Sequence, residues 1–342
     1  MRAARLHGYG EAFAIEEVPD PEPGAGEVVV RVLGAGVCHS DLHLASGEMG
    51  LAFPPEPWLM GHENAGIVES IGPGVTGVEL GEPVAVFGGW GCGACRLCLG
   101  GEEQLCNVVA WCGIGTPGGY AQLLRVPAAR HLVRLGDLDP VLAAPLTDAG
   151  LTPYRAVKKA LARLVGGSVV LVVGVGGLGH LGVQLLRHLS AATIVAVDPL
   201  EAKRTLALAS GADVALDPAT CDVAAEVRAR SGGEGAAAVL DFVGSDDTLA
   251  TSLAAVGRRG LVVLVGLAGG TAAYSFFATA GEAEVTTSLW GTRNELAEVL
   301  ALARAGVLRA RVERYRLDQI NEAFDRLRAG EVDGRAVVLP QE

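Results

Sequence analysis

One short glycine pattern constrains this chain more than any other feature. Gly174-Val175-Gly176-Gly177-Leu178-Gly179 follows the apolar run SVVLVV directly and opens a helical pattern over 177–189. G-x-G-x-x-G alone is weak evidence, but between a buried strand and a helix it has the context of a dinucleotide-binding turn. Gly174 permits the tight turn, Gly176 lets the backbone approach a pyrophosphate, and Gly179 allows close helix–strand packing. Gly177 and Leu178 open the helix and are further candidates for cofactor contact, and the helix N-terminus presents free N–H groups and a positive dipole end to phosphates. The next apolar run, TIVAVD, ends in Asp198. A carboxylate at that spacing binds the adenosine ribose hydroxyls and repels a 2′-phosphate, so NAD(H) is expected rather than NADP(H). Two plainer readings stand beside this one: a purely structural turn, and an Asp198 that only caps the helix beginning near Glu201.

The surrounding pattern fits the turn. DVAL, AAAVLDFVG and LVVLVG read as further buried strands, VTTSLW as one more, and helical patterns at 201–210, 222–230 and 246–256 lie between them. Strands alternating with helices are the βαβ signature of a doubly wound parallel sheet. Before Pro145 the chain is different. Short apolar runs at 27–32, 66–71 and 83–87 are separated by PEPGAGE and IGPGVTG, which suggests a small barrel or sandwich. After Thr292-x-x-Glu295, a capping-box pattern, a helix near 318–328 and a strand at Arg335–Leu339 finish the chain. A length of 342 residues accommodates about two domains, and 50% hydrophobic content is ample for their cores. The net charge of −12 comes without any basic block, so neither nucleic acid nor an anionic membrane is an expected partner. Glycine interrupts the longest apolar stretches well short of a membrane span, and MRAARLHGYGEAFAIEEVPD has no apolar signal core. A cytoplasmic protein is expected.

Seven cysteines, an odd number, argue against a disulfide scaffold. Four fall in one loop as Cys92-x2-Cys95-x2-Cys98-x7-Cys106. Tetrahedral Zn²⁺ takes four thiolates, and x2 spacings let a tight loop present successive sulfurs to one point. With every position held by protein, such a site is structural. An iron–sulfur cluster and redox disulfides are the alternatives, although the x7 step does not match the usual cluster spacings. Another pair of motifs, Cys38-His39-Ser40-Asp41-Leu42-His43 and Gly61-His62-Glu63-Asn64, offers soft and borderline ligands from different segments. That suits a catalytic zinc, which has three protein ligands and one open position.

Taken in order, CHSDLH, GHENAG, the four-cysteine lobe and GVGGLG with its downstream Asp198 resemble the zinc-dependent medium-chain alcohol dehydrogenases. The resemblance covers essentially the whole chain. It is nearest the bacterial and yeast type and similar to actinobacterial secondary-alcohol dehydrogenases. It implies a GroES-like β-barrel catalytic domain with the structural zinc lobe at 1–149, a Rossmann NAD-binding domain at 150–289, and a return to the catalytic domain at 290–342. It also implies an active-site cleft between the domains, two Zn²⁺ per chain, and a homotetramer, with a homodimer as the alternative.

Residue by residue, the resemblance implies Cys38 and His62 as catalytic zinc ligands. Asp148, in PLTDAGLTPY, stands where relatives commonly carry a cysteine and is expected as the third ligand. Glu63 is the alternative, since a Glu after the ligand His serves as ligand in the polyol dehydrogenase branch. Ser40 would accept the alcohol proton, which then passes through the nicotinamide ribose to His43 and solvent; Asp41 would fix the tautomer of His62. His39 and Arg335 resemble pyrophosphate contacts, and Thr152, Val265 and Leu267 nicotinamide contacts. Trp58, Trp90 and Trp290 are candidates for a substrate pocket, with core packing the plainer reading of Trp58. The implied reaction is reversible hydride transfer between NAD and an apolar primary or secondary alcohol and its aldehyde or ketone. Polyol, threonine or formaldehyde dehydrogenation is the nearest rival, and a non-catalytic dinucleotide-binding protein the rival from another class. Cys112 and Cys221 are expected to be packing residues.

Overall fold

The computed structural model describes residues 1–54 and 56–342. The chain forms two compact units: Met1–Leu151 with Gly291–Glu342, and Thr152–Trp290.

The first unit is built around one long strand. Val28–Val37 reads VVVRVLGAGV and is buried along nearly its whole length, because it has neighbours on both sides. Glu63–Ile71 runs antiparallel along one side, with Gly36 opposite Glu63. The other side is shared by two strands. Leu123–Val126 pairs with its first half, and Arg335–Leu339 pairs with its last residues, Ala336 lying opposite Val37. Pro83–Val86 and Leu132–Arg134 extend the sheet beyond Glu63–Ile71, and Val312–Arg316 extends it beyond Arg335–Leu339. The expected run at 27–32 is thus the beginning of a strand that continues to the residue before Cys38. The C-terminal segment returns to this sheet through the parallel pair Val312–Arg316 and Arg335–Leu339, with the helix Ile320–Arg328 between them. Leu6, Val30, Met60, Tyr120, Ile320 and Phe324 are among the residues of the shared core.

These registers position chemistry. They place the residue after Val37, which is Cys38, and the beginnings of Glu63–Ile71 and Arg335–Leu339 at one end of the sheet. Cys38 then caps the helix His39–Ser46.

The second unit is a six-stranded, all-parallel sheet. Its spatial order is Val214–Leu216, Thr193–Val197, Val169–Val173, Ala236–Asp241, Val256–Leu264 and Glu284–Thr287. In chain order that is 3-2-1-4-5-6, the Rossmann arrangement, with its switch point beside Val169–Val173. The five residues of that strand are all buried, as expected for a parallel strand covered on both faces. Two local expectations shift. The helix begins at Gly179 instead of 177, because Gly177 and Leu178 remain in the turn. The last strand covers Glu284–Thr287 and stops before Ser288, and the chain reaches Trp290 with a positive φ of 48°. Among the described residues, no helix is long and apolar enough to cross a membrane.

Candidate active site and metal centres

The four loop cysteines converge. One sulfur from each of Cys92, Cys95, Cys98 and Cys106 lies within 4.8 Å of the others. Sγ–Sγ distances are 3.9 Å for Cys92–Cys98, 3.5 Å for Cys95–Cys98 and 3.9 Å for Cys95–Cys106. Zn–S bonds of about 2.3 Å in a tetrahedron require sulfurs about 3.8 Å apart. The donor set therefore fits a structural zinc. Local backbone prepares it: the Cys95 N–H points at Cys92 Sγ (3.4 Å) and the Cys92 N–H at Cys106 Sγ (3.5 Å). Backbone N–H groups of Ala94 and Cys95 draw the Cys92 thiol down to about 6, whereas burial pushes Cys98 up to about 12. Cys112 lies apart from this cluster; it is fully buried, and burial pushes its thiol to about 12.

The second cluster gathers Cys38, His62, Glu63 and Asp148, again with ligand atoms within 4.8 Å of one another. Asp148 Oδ2 is 3.6 Å from Cys38 Sγ and 3.5 Å from His62 Nε2. Tetrahedral zinc with bonds of about 2.0–2.3 Å would separate such atoms by about 3.4–3.6 Å. Cys38, His62 and Glu63 are buried, while the Asp148 side chain retains 13% exposure. Burial disfavours a charge on His62, but Asp41 and then Asp148 outweigh it and hold the imidazole well above its ordinary value.

Asp41 organises the surroundings of this cluster. It is completely buried, yet three donors satisfy its carboxylate. Oδ1 is 3.1 Å from His62 Nδ1, and Oδ2 accepts from the Cys38 N–H (2.9 Å) and the Tyr120 hydroxyl (2.8 Å). The bond to Nδ1 leaves Nε2 as the metal-facing nitrogen. Burial and then the nearby Asp41 push the Tyr120 hydroxyl well above its usual value, so it remains a donor. Ser40 Oγ lies 3.4 Å from His62 Nε2. One turn along the same helix, His43 Nδ1 is 2.6 Å from Glu48 Oε2, at a partly exposed position. His39 is exposed.

Glu63 and Arg335, expected in separate roles, form one buried ion pair: Arg335 Nη2 donates to Glu63 Oε1. Gly36, opposite Glu63 in the sheet, leaves the space that this carboxylate occupies, since a Cβ there would collide with Oε2. Oε2 itself has no hydrogen-bond partner among the described residues. Burial raises the Glu63 carboxyl to about 7 against the opposing pull of Arg335.

In the second unit the glycine turn has the expected form. Gly174 adopts φ +83°, and a Cβ on Gly179 would strike the Gly174 carbonyl oxygen. A Cβ on Gly176 would meet nothing within 4 Å, so the turn leaves room where a pyrophosphate would approach. Asp198 is buried and bridges two segments. Oδ2 accepts from the Val175 N–H and Oδ1 from the Leu200 N–H, both at 2.9 Å. Leu200, not Asp198, occupies the N-cap position of the helix Glu201–Ala209. Thr152 and Val265 are buried, whereas Leu267 is 61% exposed.

The tryptophans differ. Trp58 belongs to the core of the first unit and meets the Phe53 ring edge-on at 5.9 Å. Trp90 is also buried there, donating from Nε1 to the Phe87 carbonyl (2.8 Å) beside His131. Trp290 is a buried residue of the second unit. Sequence reasoning missed Tyr120 and Glu48 altogether. Nothing in GGYAQ marks a tyrosine that reaches Asp41, and Glu48 is one of many acidic residues in surface turns.

A two-unit chain with a barrel-like sheet, a Rossmann sheet, one closed four-sulfur site and one open mixed-ligand site defines a class of dehydrogenases. The comparisons agree. Residues 24–137 match the alcohol dehydrogenase GroES-like domain, and residues 177–305 match the zinc-binding dehydrogenase domain. An NAD-dependent alcohol dehydrogenase of Sulfurisphaera tokodaii is 37% identical over 99% of this chain and 100% of its own length. D-arabinose 1-dehydrogenase (NADP(+)) of Saccharolobus solfataricus is 35% identical over 99% of this chain and 97% of its own. The crystal structure of the alcohol dehydrogenase of Aeropyrum pernix superposes with a TM-score of 0.92 at 40% identity, covering 99% of this chain and 100% of that one. The chain belongs to the zinc-type medium-chain alcohol dehydrogenase family.

Proposed function

We propose that this chain catalyses the reversible NAD-linked oxidation of an alcohol to an aldehyde or ketone. The observation that carries this reading is the convergence of Cys38 Sγ, His62 Nε2 and Asp148 Oδ2 beside the Ser40 hydroxyl. Cys38, His62 and Asp148 would hold the catalytic zinc, and Cys92, Cys95, Cys98 and Cys106 the structural one. Charge favours Asp148 over Glu63 as third ligand. A thiolate and the Asp148 carboxylate together balance Zn²⁺, while Glu63 is already balanced by Arg335. When bound, zinc supplies a Lewis acid that steadies negative charge on the substrate oxygen, and NAD supplies the hydride acceptor.

The chain's own groups do the rest. Ser40 takes the alcohol proton, and His43, three residues on along the same helix, passes it towards solvent with Glu48 as its partner. Asp41 holds His62 in the tautomer that keeps Nε2 free for metal. Arg335 serves chiefly as the counter-charge to Glu63, a role its burial favours over contact with the pyrophosphate proposed for His39. Gly174–Gly179 and Asp198 bind the dinucleotide, and Thr152, Val265 and Leu267 face the nicotinamide. Trp90 and Trp290 remain the pocket candidates, with Trp58 assigned to the core.

The finer setting follows from the same features. Two thiolate-bearing zinc sites suit the reducing cytoplasm. The exposed rings of Tyr274, Phe276 and Phe277, in the segment that precedes the edge strand Glu284–Thr287, support a homo-oligomer, a tetramer by resemblance and a dimer otherwise. A sugar substrate is the second reading, favoured by the D-arabinose dehydrogenase relative. The deciding experiment is a panel of primary and secondary alcohols, aldehydes, ketones and D-arabinose with NAD and NADP, followed by nicotinamide absorbance. Turnover of alcohols with NAD is the expected result. A zinc-loaded protein that binds NAD but turns over nothing in the panel would overturn the proposal in favour of a non-catalytic dinucleotide-binding protein.

A further inference from the structure

We infer that Tyr120 is a positioning residue of the open metal site, acting on both of its sulfur and nitrogen ligands through Asp41. The inference rests on the reading of Cys38 and His62 as zinc ligands.

Asp148, itself a candidate ligand, meets both Cys38 and His62; outside the ligand set Asp41 does so too, since it accepts from the backbone N–H of one and engages the ring nitrogen of the other. Cys38 follows the strand Val28–Val37 and His62 precedes Glu63–Ile71, so this one carboxylate ties the two ligand segments together. Two contacts come from the ligand segments themselves and would move with them. The third, the Tyr120 hydroxyl at 2.8 Å, comes from elsewhere in the chain.

Tyr120 is well anchored for this purpose. It is completely buried, and its ring packs edge-on against Phe13 at 6.0 Å and Phe324 at 6.1 Å. Its backbone N–H donates to Met60 O (3.0 Å), and the Gly119 N–H donates to Gly61 O (2.8 Å), so the same segment braces the approach to His62. Gly61 lies against the ring: a Cβ there would stand 2.8 Å from Tyr120 Cδ1. A rigid aromatic thus delivers one charge-assisted hydrogen bond to a buried carboxylate that has no solvent to replace it. Outer partners of metal-binding histidines change metal affinity by about 10- to 100-fold when removed.

The four-cysteine site provides an internal reference for the test. Zinc would be titrated out of wild type and Tyr120→Phe with a chromophoric chelator, and the fast and slow phases assigned with Cys98→Ser. In Tyr120→Phe, the open site should release zinc about 10- to 100-fold more readily while the four-cysteine site is unchanged. With cobalt at the open site, the visible ligand-field spectrum should change, and kcat should fall with KM for NAD unaltered. Asp41→Asn should show the larger defect, and adding Tyr120→Phe to it should change little. Identical zinc release and spectra in wild type and Tyr120→Phe would overturn the inference. Equal loosening of both sites would also overturn it, since that reports a general structural role. If wild type itself holds zinc only at the four cysteines, the ligand assignment has failed, which is a different result.

Discussion

The two metal sites of the first unit are assembled in opposite ways. The closed site takes all four donors from one loop, and its backbone N–H groups already point at its sulfurs. The open site joins Cys38 to Asp148, 110 positions apart, and relies on strand register to bring Glu63 and Arg335 alongside. A local site asks little of the fold and can be saturated by protein, so it stabilises. An assembled site inherits its geometry from the sheet and from buried carboxylates, and can leave a coordination position for a substrate. The same contrast appears in charge. The closed site is thiols only, whereas the open one includes the partly exposed Asp148 and sits beside the buried charges of Asp41, Glu63 and Arg335.

The largest effect should come from disturbing the assembled site. Asp148→Ala is expected to remove one zinc and lower kcat/KM by about a thousandfold, the several kcal/mol a Lewis acid contributes. Glu63→Gln should keep two zincs while destabilising the protein by about 3–5 kcal/mol, because Arg335 is left charged and buried. Metal analysis and denaturant unfolding distinguish the two. Zinc loss in Glu63→Gln with retention in Asp148→Ala would exchange their roles. Next in size, Cys98→Ser should remove the other zinc and cost more than about 3 kcal/mol of stability, while turnover per zinc-loaded open site is kept. Loss of turnover in step with that zinc would break the comparison, since the closed site would no longer be purely structural.

What was legible in the amino-acid sequence follows the same division. The cysteine loop and the glycine turn are local, so spacing alone carries their chemistry: x2 steps bring sulfurs together, and G-x-G-x-x-G after a strand defines its own backbone. The parallel sheet was legible because its buried strands are uninterrupted apolar runs. The Glu63–Arg335 pair was not, although both residues had been singled out. Opposite charges far apart in the chain carry no mark of pairing until Val28–Val37 places their strands on its two sides. Tyr120 was invisible for a related reason. Its ring satisfies any core pattern, and only its hydroxyl, at the end of a path across the barrel, does something specific. Trp58 is the converse case, an aromatic residue read either as pocket or as core, whose ring lies edge-on to Phe53 in the fold.

Asp198 lies between the two extremes and offers the subtlest test. It comes one strand after the glycine turn, and the parallel register of Val173 with Val197 sets it beside Gly174. Its carboxylate holds the turn through Val175 and Leu200, and in the proposed reading it also presents negative charge to the adenosine ribose. Asp198→Ala removes both, and the preference for NAD over NADP should fall by about 10- to 100-fold, the value of one or two hydrogen bonds to a charged group. Asp198→Asn separates the tasks. The amide oxygen still accepts one backbone N–H, so much of the turn survives, but the charge that repels a 2′-phosphate is gone. If charge decides, Asn relaxes the preference nearly as far as Ala while NAD binding weakens less. If Ala weakens both coenzymes equally and Asn behaves as wild type, Asp198 is a brace for the turn, and coenzyme choice is made by other residues of the second unit.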